Sequence, residues 1–494
     1  MGKHKIKLIL VFLIILLLWI FFNFRLTDVP PGMNGDEASI GYNAILLSRT
    51  LRDENKRLLP TFVLTGQDWK QPVTIYSTAI LFKIFGPSYT ILRGTSTLFV
   101  IISAFLLFLF IKEILNFKIA IFGTITFLLI PAIMIQSHLA LENVALLPFV
   151  VFWVWMVYKY ENAKILRYLF FSGISLGISF YSYNGMRLIM PVLALLTIFY
   201  IFYLNKFKLH SSFAPIKFFI LGIAPFILIL PILMTKYPGA IFANNQTSIS
   251  TYQDFLMPYI ASFDLSFLFI TGDTTVYHST SKHGVYLLAT LPLFILGIFA
   301  ALHKRKPILI FILAAFFLSP FLFGLVGSPI HRGSRLLAMT PLYAIIAVLG
   351  FAKIFELKNK HLIRILLASV VLLVTINYAD FLRVYWFEYP ETVKQQFSPP
   401  FHTLFNELKK TSEQKGLKPS IETGIYLEGA YATKFLKEVY FPGGLKFNDL
   451  KAEILDDEIV LVRVADANTL AGKGFEILGA GETPFNLVVK RLSN

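Results

Sequence analysis

Two adjacent carboxylates, Asp36 and Glu37, stand in MNGDEASIGYN (residues 33–43), a few residues after a long apolar N-terminal run. A carboxylate can take the proton from a hydroxyl as its oxygen attacks carbon. Cations can then stabilise the negative charge that develops on a departing group. Candidate partners recur downstream: Lys70 in WKQP, Glu142 in LALENV, Tyr183 and Arg187 in YSYNGMRL, and His331, Arg332 and Arg335 in GSPIHRGSRL. The stretch FLFITGDTTVYHSTSKHGVY adds Asp273, His278 and His283. Their spacing matches no tight metal-ligand motif, so no metal is assigned and the segment reads as a loop over a cavity or acceptor.

Each of these residues also has a plain structural reading. Asn34 followed three residues later by Glu37 resembles a capping box, and acids in a first helical turn suit the helix dipole. Lys70 can be a snorkelling lysine. The arginines can be headgroup anchors.

The elements that position these residues are set by hydropathy. The chain has 494 residues, 56% hydrophobic and 15% charged, with a mean hydropathy of +0.67. Soluble domains carry about 25% charged residues, so this is a polytopic membrane protein. There are no cysteines, which excludes disulfides, thiolate metal sites and a cysteine nucleophile. The net charge is +16. Its surplus falls in residues 1–380, in small clusters between apolar runs, whereas 381–494 is nearly neutral. That is the pattern of topology signals, and it argues against nucleic acid as a partner.

The first run, Leu8 to Phe22, follows the basic start MGKHKIK and has no small-residue cleavage site after it. It reads as a retained span. Further runs lie near 91–111, 117–137, 139–158, 166–183, 186–204, 216–235, 285–302, 307–326, 335–355 and 361–379. The expectation is roughly eleven transmembrane helices. Alternation places KEILNFK, YKYENAKILR, NKFKLHSSFAPIK, HKRK and KIFELKNKHLIR on the side of the N-terminus. With the N-terminus these hold 18 Lys and Arg, whereas the short turns on the other side hold only Arg187, Arg332 and Arg335, so the N-terminal side is cytoplasmic. Asp36, Glu37 and Glu142 then face out.

The outside loops 25–90 and 236–284 are long. The first is expected to carry two amphipathic helices, about 36–51 and 73–85, lying along the membrane surface. The second holds a formal glycosylation sequon, Asn245-Gln246-Thr247, meaningful only in a eukaryotic lumen. Residues 1–380 are expected to form the transmembrane catalytic domain. Residues 381–494 are expected to form a small extracytoplasmic α/β domain, in which EIVLVRV (458–464) reads as a buried strand.

One chemistry uses these pieces together. If a sugar is transferred from a lipid phosphate, the acceptor hydroxyl must lose a proton, and an anionic polyprenyl phosphate must leave. The kit is an exterior acid, nearby Lys or Arg, and an apolar groove.

The order of these residues resembles the GT-C membrane glycosyltransferases. The branch is that of the dolichyl-phosphate-mannose protein mannosyltransferases and the bacterial aminoarabinose transferase, and GDEASIGYNA and LALENVALLPF look like its uncharacterised bacterial members. The resemblance covers about 1–350. It implies a GT-C fold and an inverting glycosyltransferase, hexosyl or pentosyl, that uses a polyprenyl-phosphate sugar; most members of the branch need no catalytic metal, no cofactor is required, and a divalent cation is not indicated. By position it implies Asp36 as general base with Glu37 adjacent and Glu142 orienting the acceptor or base. Lys70 would meet the donor phosphate, with Arg187, Arg332 and Arg335 as looser matches. Tyr183, Asp273, His278 and His331 are further candidate substrate contacts. The family often has Lys-Pro-Pro where this chain has Lys70-Gln71-Pro72, which puts the local turn in question. The acceptor would be a protein, lipid or glycan hydroxyl. Two other readings share the topology: a lipid-linked glycan flippase or transporter, and a lipid-linked glycan polymerase or ligase. Span centres nearly free of charge argue against the transporter.

Overall fold

The computed structural model describes residues 14–241, 251–326, 331–397, 401–449, 457–464, 466–467, 475–478 and 487–491. The start of the run Leu8 to Phe22 and the sequon at Asn245 lie outside the described residues. The chain divides into two compact units. One comprises 1–24, 61–74 and 94–388; the other comprises 25–60, 75–93 and 389–494. The division falls inside two helices, Pro72–Phe85 and Tyr89–Ile114.

The first unit is helical. Among the described residues six helices are long and apolar enough to cross a bilayer, and seven if the pair Phe117–Leu128 and Pro131–Ser137, bent by 62°, is one span. Pro131 opens the second member of that pair, and without an N–H it cannot continue the hydrogen-bond ladder of the first. The other three expected runs fall on shorter apolar helices, Leu166–Phe180, Leu288–Lys304 and Met339–Ile354. The 16 residues of Met339–Ile354 extend about 24 Å, less than the ~30 Å hydrocarbon core. Nearly all of them are buried, as expected of a helix apolar on every face.

Its closest neighbour is Leu291–Lys304. A Cβ added at Gly297 would lie 1.8 Å from the Ile346 carbonyl oxygen, and one at Gly350 would lie 1.9 Å from that of Leu293. The two backbones touch because both positions lack a side chain.

Between the expected helices of the first loop lies an element that periodicity does not announce. Strands Val63–Thr65 and Asp68–Lys70 form an antiparallel hairpin, with Lys70 opposite Val63. Gly66 turns the chain at φ +60°, a conformation that favours glycine. Pro72 then opens Pro72–Phe85, where its missing N–H costs nothing.

The second unit contains helix Gly35–Thr50 and a five-stranded sheet. The spatial strand order is Lys446–Asn448, Lys418–Glu422, Glu458–Val462, Leu487–Arg491, Phe475–Ile477. The first three strands are mutually parallel, and Leu487–Arg491 runs antiparallel to both of its neighbours. Every residue of Glu458–Val462 is buried, which suits a central strand with both faces covered. Helix Phe401–Lys415 buries Phe401, Leu404, Phe405 and Leu408, one face at helical spacing. Helix Ala430–Tyr440 packs on Gly35–Thr50. Arg49 meets Glu438 at 2.5 Å, and the Tyr431 hydroxyl donates to Glu54 at 2.9 Å. Of the face of the first loop helix expected on the membrane (Ile40, Ala44, Leu47 and Leu51), the first three are buried in protein and Leu51, the C-cap, is exposed.

Candidate active site

In the second unit, Asn34 caps the helix that carries the acidic pair. Its side chain accepts from the Asp36 N–H at 2.8 Å, and its own N–H donates to Glu37 Oε2 at 3.3 Å. The two acids then diverge. Asp36 is exposed. Glu37 is wholly buried and meets Arg93, also wholly buried, through a two-pronged pair: Nε to Oε1 at 2.6 Å and Nη2 to Oε2 at 3.1 Å. Arg93 also donates to the carbonyls of Leu26 (2.8 Å), Pro30 (3.1 Å) and Gly32 (2.6 Å). Its guanidinium lies 4.5 Å from the Tyr89 ring centre, and the Tyr89 hydroxyl donates to the Gly32 carbonyl at 3.0 Å. One side chain therefore gathers the whole approach to the acid-bearing helix. Arg93 is not among the residues singled out by the sequence, because it sits at the head of an apolar run, and its charge in that company is the one local signal. Beside Tyr89, the His402 ring lies at 5.2 Å. Burial, and then the Arg93 charge, push its imidazole down to about 4.

The first unit holds the remaining candidates. Lys70 ends its strand and is buried. Gln71, fully buried, gives its backbone N–H to Glu142 Oε1. Its side chain donates to Asn184 at 2.8 Å and accepts from Arg187 Nη2 at 2.9 Å. Arg187 Nη1 donates to the Ile241 carbonyl at 2.8 Å.

Glu142 begins a short 3-10 turn, Glu142–Val144. The adjacent Asn143 donates to Gln136 at 2.8 Å, and Gln136 bonds His278 Nδ1 at 2.8 Å. So Asn143, the neighbour of Glu142 in the chain, is linked to His278 through Gln136, a polar residue inside an expected span. Asp273 is buried, accepting from the Thr275 N–H at 2.8 Å and the Ser334 N–H at 3.4 Å. His331 stacks on Phe267 at 4.9 Å and meets Asp264 at 3.3 Å.

Tyr183 reports the convergence of these groups. Burial pushes its hydroxyl up to about 12, with Arg335 and Arg332 pulling it down and Glu142 and Asp273 pushing it up. One tyrosine thus feels two arginines and two carboxylates from separate loops. Arg187 Nε and Arg332 Nε are buried with no hydrogen-bond partner among the described residues. Unspent guanidinium donors of this kind suit an oxyanion. Among the described residues no group of three or more His, Asp or Glu side chains is placed to hold a metal ion.

Residues 70–235 match the family model of dolichyl-phosphate-mannose-protein mannosyltransferase. Two structures of ArnT from Cupriavidus metallidurans, one bound to undecaprenyl phosphate and one apo, match 99% of this chain and 98% of theirs. The identity is 10% in both, with TM-scores of 0.58 and 0.57. The archaeal oligosaccharyltransferase AglB from Archaeoglobus fulgidus, in complex with an inhibitory peptide and a dolichol-phosphate, matches 87% of this chain and 64% of its own, at 10% identity and a TM-score of 0.48. No curated protein sequence matches the chain. This multi-pass membrane protein has the GT-C fold and resembles the branch that holds the protein mannosyltransferases and ArnT.

Proposed function

We propose that the protein is an inverting glycosyltransferase that moves a hexosyl or pentosyl group from a polyprenyl phosphate to an acceptor hydroxyl at the extracytoplasmic membrane face. The acceptor is a hydroxyl of a protein, lipid or glycan. Asp36 takes the acceptor proton as the acceptor oxygen bonds to the anomeric carbon. The bond from that carbon to the donor phosphate oxygen breaks, and its electron pair leaves with the polyprenyl phosphate. Lys70, Arg187, Arg332 and Arg335 stabilise that developing anion. Glu142 orients the reacting groups from its place beside Gln71.

The observation that carries this reading is the pair of buried, unspent guanidinium N–H donors on Arg187 and Arg332. Arg332 acts on Tyr183 together with Arg335, Glu142 and Asp273, and Arg187 is joined to Glu142 through Gln71. The match of 70–235 to a mannosyltransferase family model supports it. The basic loops between spans support an N-terminus in the cytoplasm.

The test uses purified protein in nanodiscs, a panel of radiolabelled polyprenyl-phosphate sugars, and wild type beside Asp36→Asn. Acceptor-dependent release of label from one donor by wild type alone is the expected result. Transport of an intact lipid-linked glycan across the bilayer, with no turnover of any donor, would replace the proposal with a flippase. Full turnover by a folded Asp36→Asn protein would remove Asp36 from the mechanism.

A further inference from the structure

Gln71 sits at a junction. The hairpin strand ends at Lys70 and the next helix opens at Pro72. The Gln71 N–H, at this junction, points to Glu142. The side chain is fully buried, and both of its polar atoms are used: Nε2 on Asn184 and Oε1 on Arg187. One residue thereby contacts an acid and a cation drawn from two other segments.

The consequence for Arg187 is specific. Nη1 is held by the Ile241 carbonyl and Nη2 by Gln71. Two anchors on a planar guanidinium fix its orientation. Of its remaining N–H donors, Nε is buried and has no hydrogen-bond partner among the described residues. A donor that is already oriented and desolvated loses little freedom when an anion arrives.

We propose that Gln71 is a positioning residue that sets Arg187 and Glu142 in one geometry for an anionic phosphate ligand. It acts through these two side chains. The inference rests on the functional reading above and names a part of the site that a proline at position 71 could not supply, since proline has neither the N–H nor the amide.

Three variants separate the two contacts. Gln71→Ala keeps the N–H to Glu142 and loses Arg187 and Asn184. Gln71→Pro loses both contacts. Gln71→Glu keeps an acceptor for Arg187. The first readout is equilibrium binding of undecaprenyl phosphate to the full chain in nanodiscs, per folded molecule. The second is the split between donor KM and kcat.

Gln71→Ala should weaken undecaprenyl phosphate binding and raise donor KM roughly tenfold, the scale of one hydrogen bond to a charged group, with kcat within about twofold. Gln71→Glu should not recover that loss, because its carboxylate neutralises Arg187 and repels the phosphate. Gln71→Pro should in addition lower kcat. Wild-type binding and KM in folded Gln71→Ala, or in folded Gln71→Glu, overturns the inference while leaving the functional reading intact. A wild-type protein that neither binds undecaprenyl phosphate nor transfers sugar from any donor overturns the functional reading, and this inference with it.

Discussion

Replacing Arg93 by methionine removes the cation from a pair whose two side chains are both 0% exposed. The Glu37 carboxylate then stays buried and loses its two-pronged cation. Breaking a buried pair in this way costs about 3–5 kcal/mol. Set against a domain stability of about 5–15 kcal/mol, that is a large fraction. The carbonyls of Leu26 and Pro30 lose the Arg93 donor as well, and that of Gly32 keeps the Tyr89 hydroxyl, so the upper end of the range is expected. The double variant Glu37→Met with Arg93→Met removes both charges and fills similar volume with apolar atoms. It still leaves the three carbonyls without Arg93, but it should recover about 3 kcal/mol relative to Arg93→Met. The assay is chaotrope unfolding of the purified protein in detergent, with the two single variants and the double completing a cycle. A double variant as unstable as Arg93→Met refutes the reasoning, because the loss would then not lie in the stranded carboxylate. An Arg93→Met protein as stable as wild type refutes the pair as a structural element altogether.

Further predictions follow from other parts of the fold. Asp36→Asn should leave unfolding unchanged within about 0.5 kcal/mol, the usual range for an exposed substitution, while abolishing sugar transfer; a parallel unfolding and turnover measurement checks both. His402 has a folded value near 4, below an unfolded value of about 6.5. The unfolded chain therefore binds more protons between those limits, so stability is lost as pH falls from about 6.5 towards 4. Replacing His402 by phenylalanine should flatten that part of the stability–pH profile, and an unchanged profile counts against it. Gly297→Ala places a carbon where the Ile346 carbonyl oxygen lies 1.8 Å away. Forced separation of the two helices should cost about 1–3 kcal/mol or more, read as earlier thermal aggregation in detergent; wild-type behaviour would show that the helices part freely.

The helices were legible in the sequence because the signals that specify them are local. The expected apolar runs after the first each coincide with helices, since twenty apolar residues in a row have few alternatives to a helix in or beside hydrocarbon. Asn34 and Glu37, three residues apart, announced the cap that Gly35–Thr50 has, because both partners lie within one turn. The composition change after 380 announced a sheet-bearing segment for the same reason. Tertiary structure decided the chemistry. Glu37 and Asp36 are adjacent and equally acidic in the sequence, yet one is buried on Arg93 and the other is exposed. Nothing local distinguishes them, because the cation that captures Glu37 lies on a helix more than fifty residues later. Gln71 reads as an unremarkable residue between a lysine and a proline. It becomes a junction only because Glu142, Asn184 and Arg187 are brought to it from two other segments. Periodicity fixes which residues are helical and which face is apolar. The partner of a buried charge or amide is chosen by whichever segment the packing brings alongside, and that choice is made only when the chain is folded.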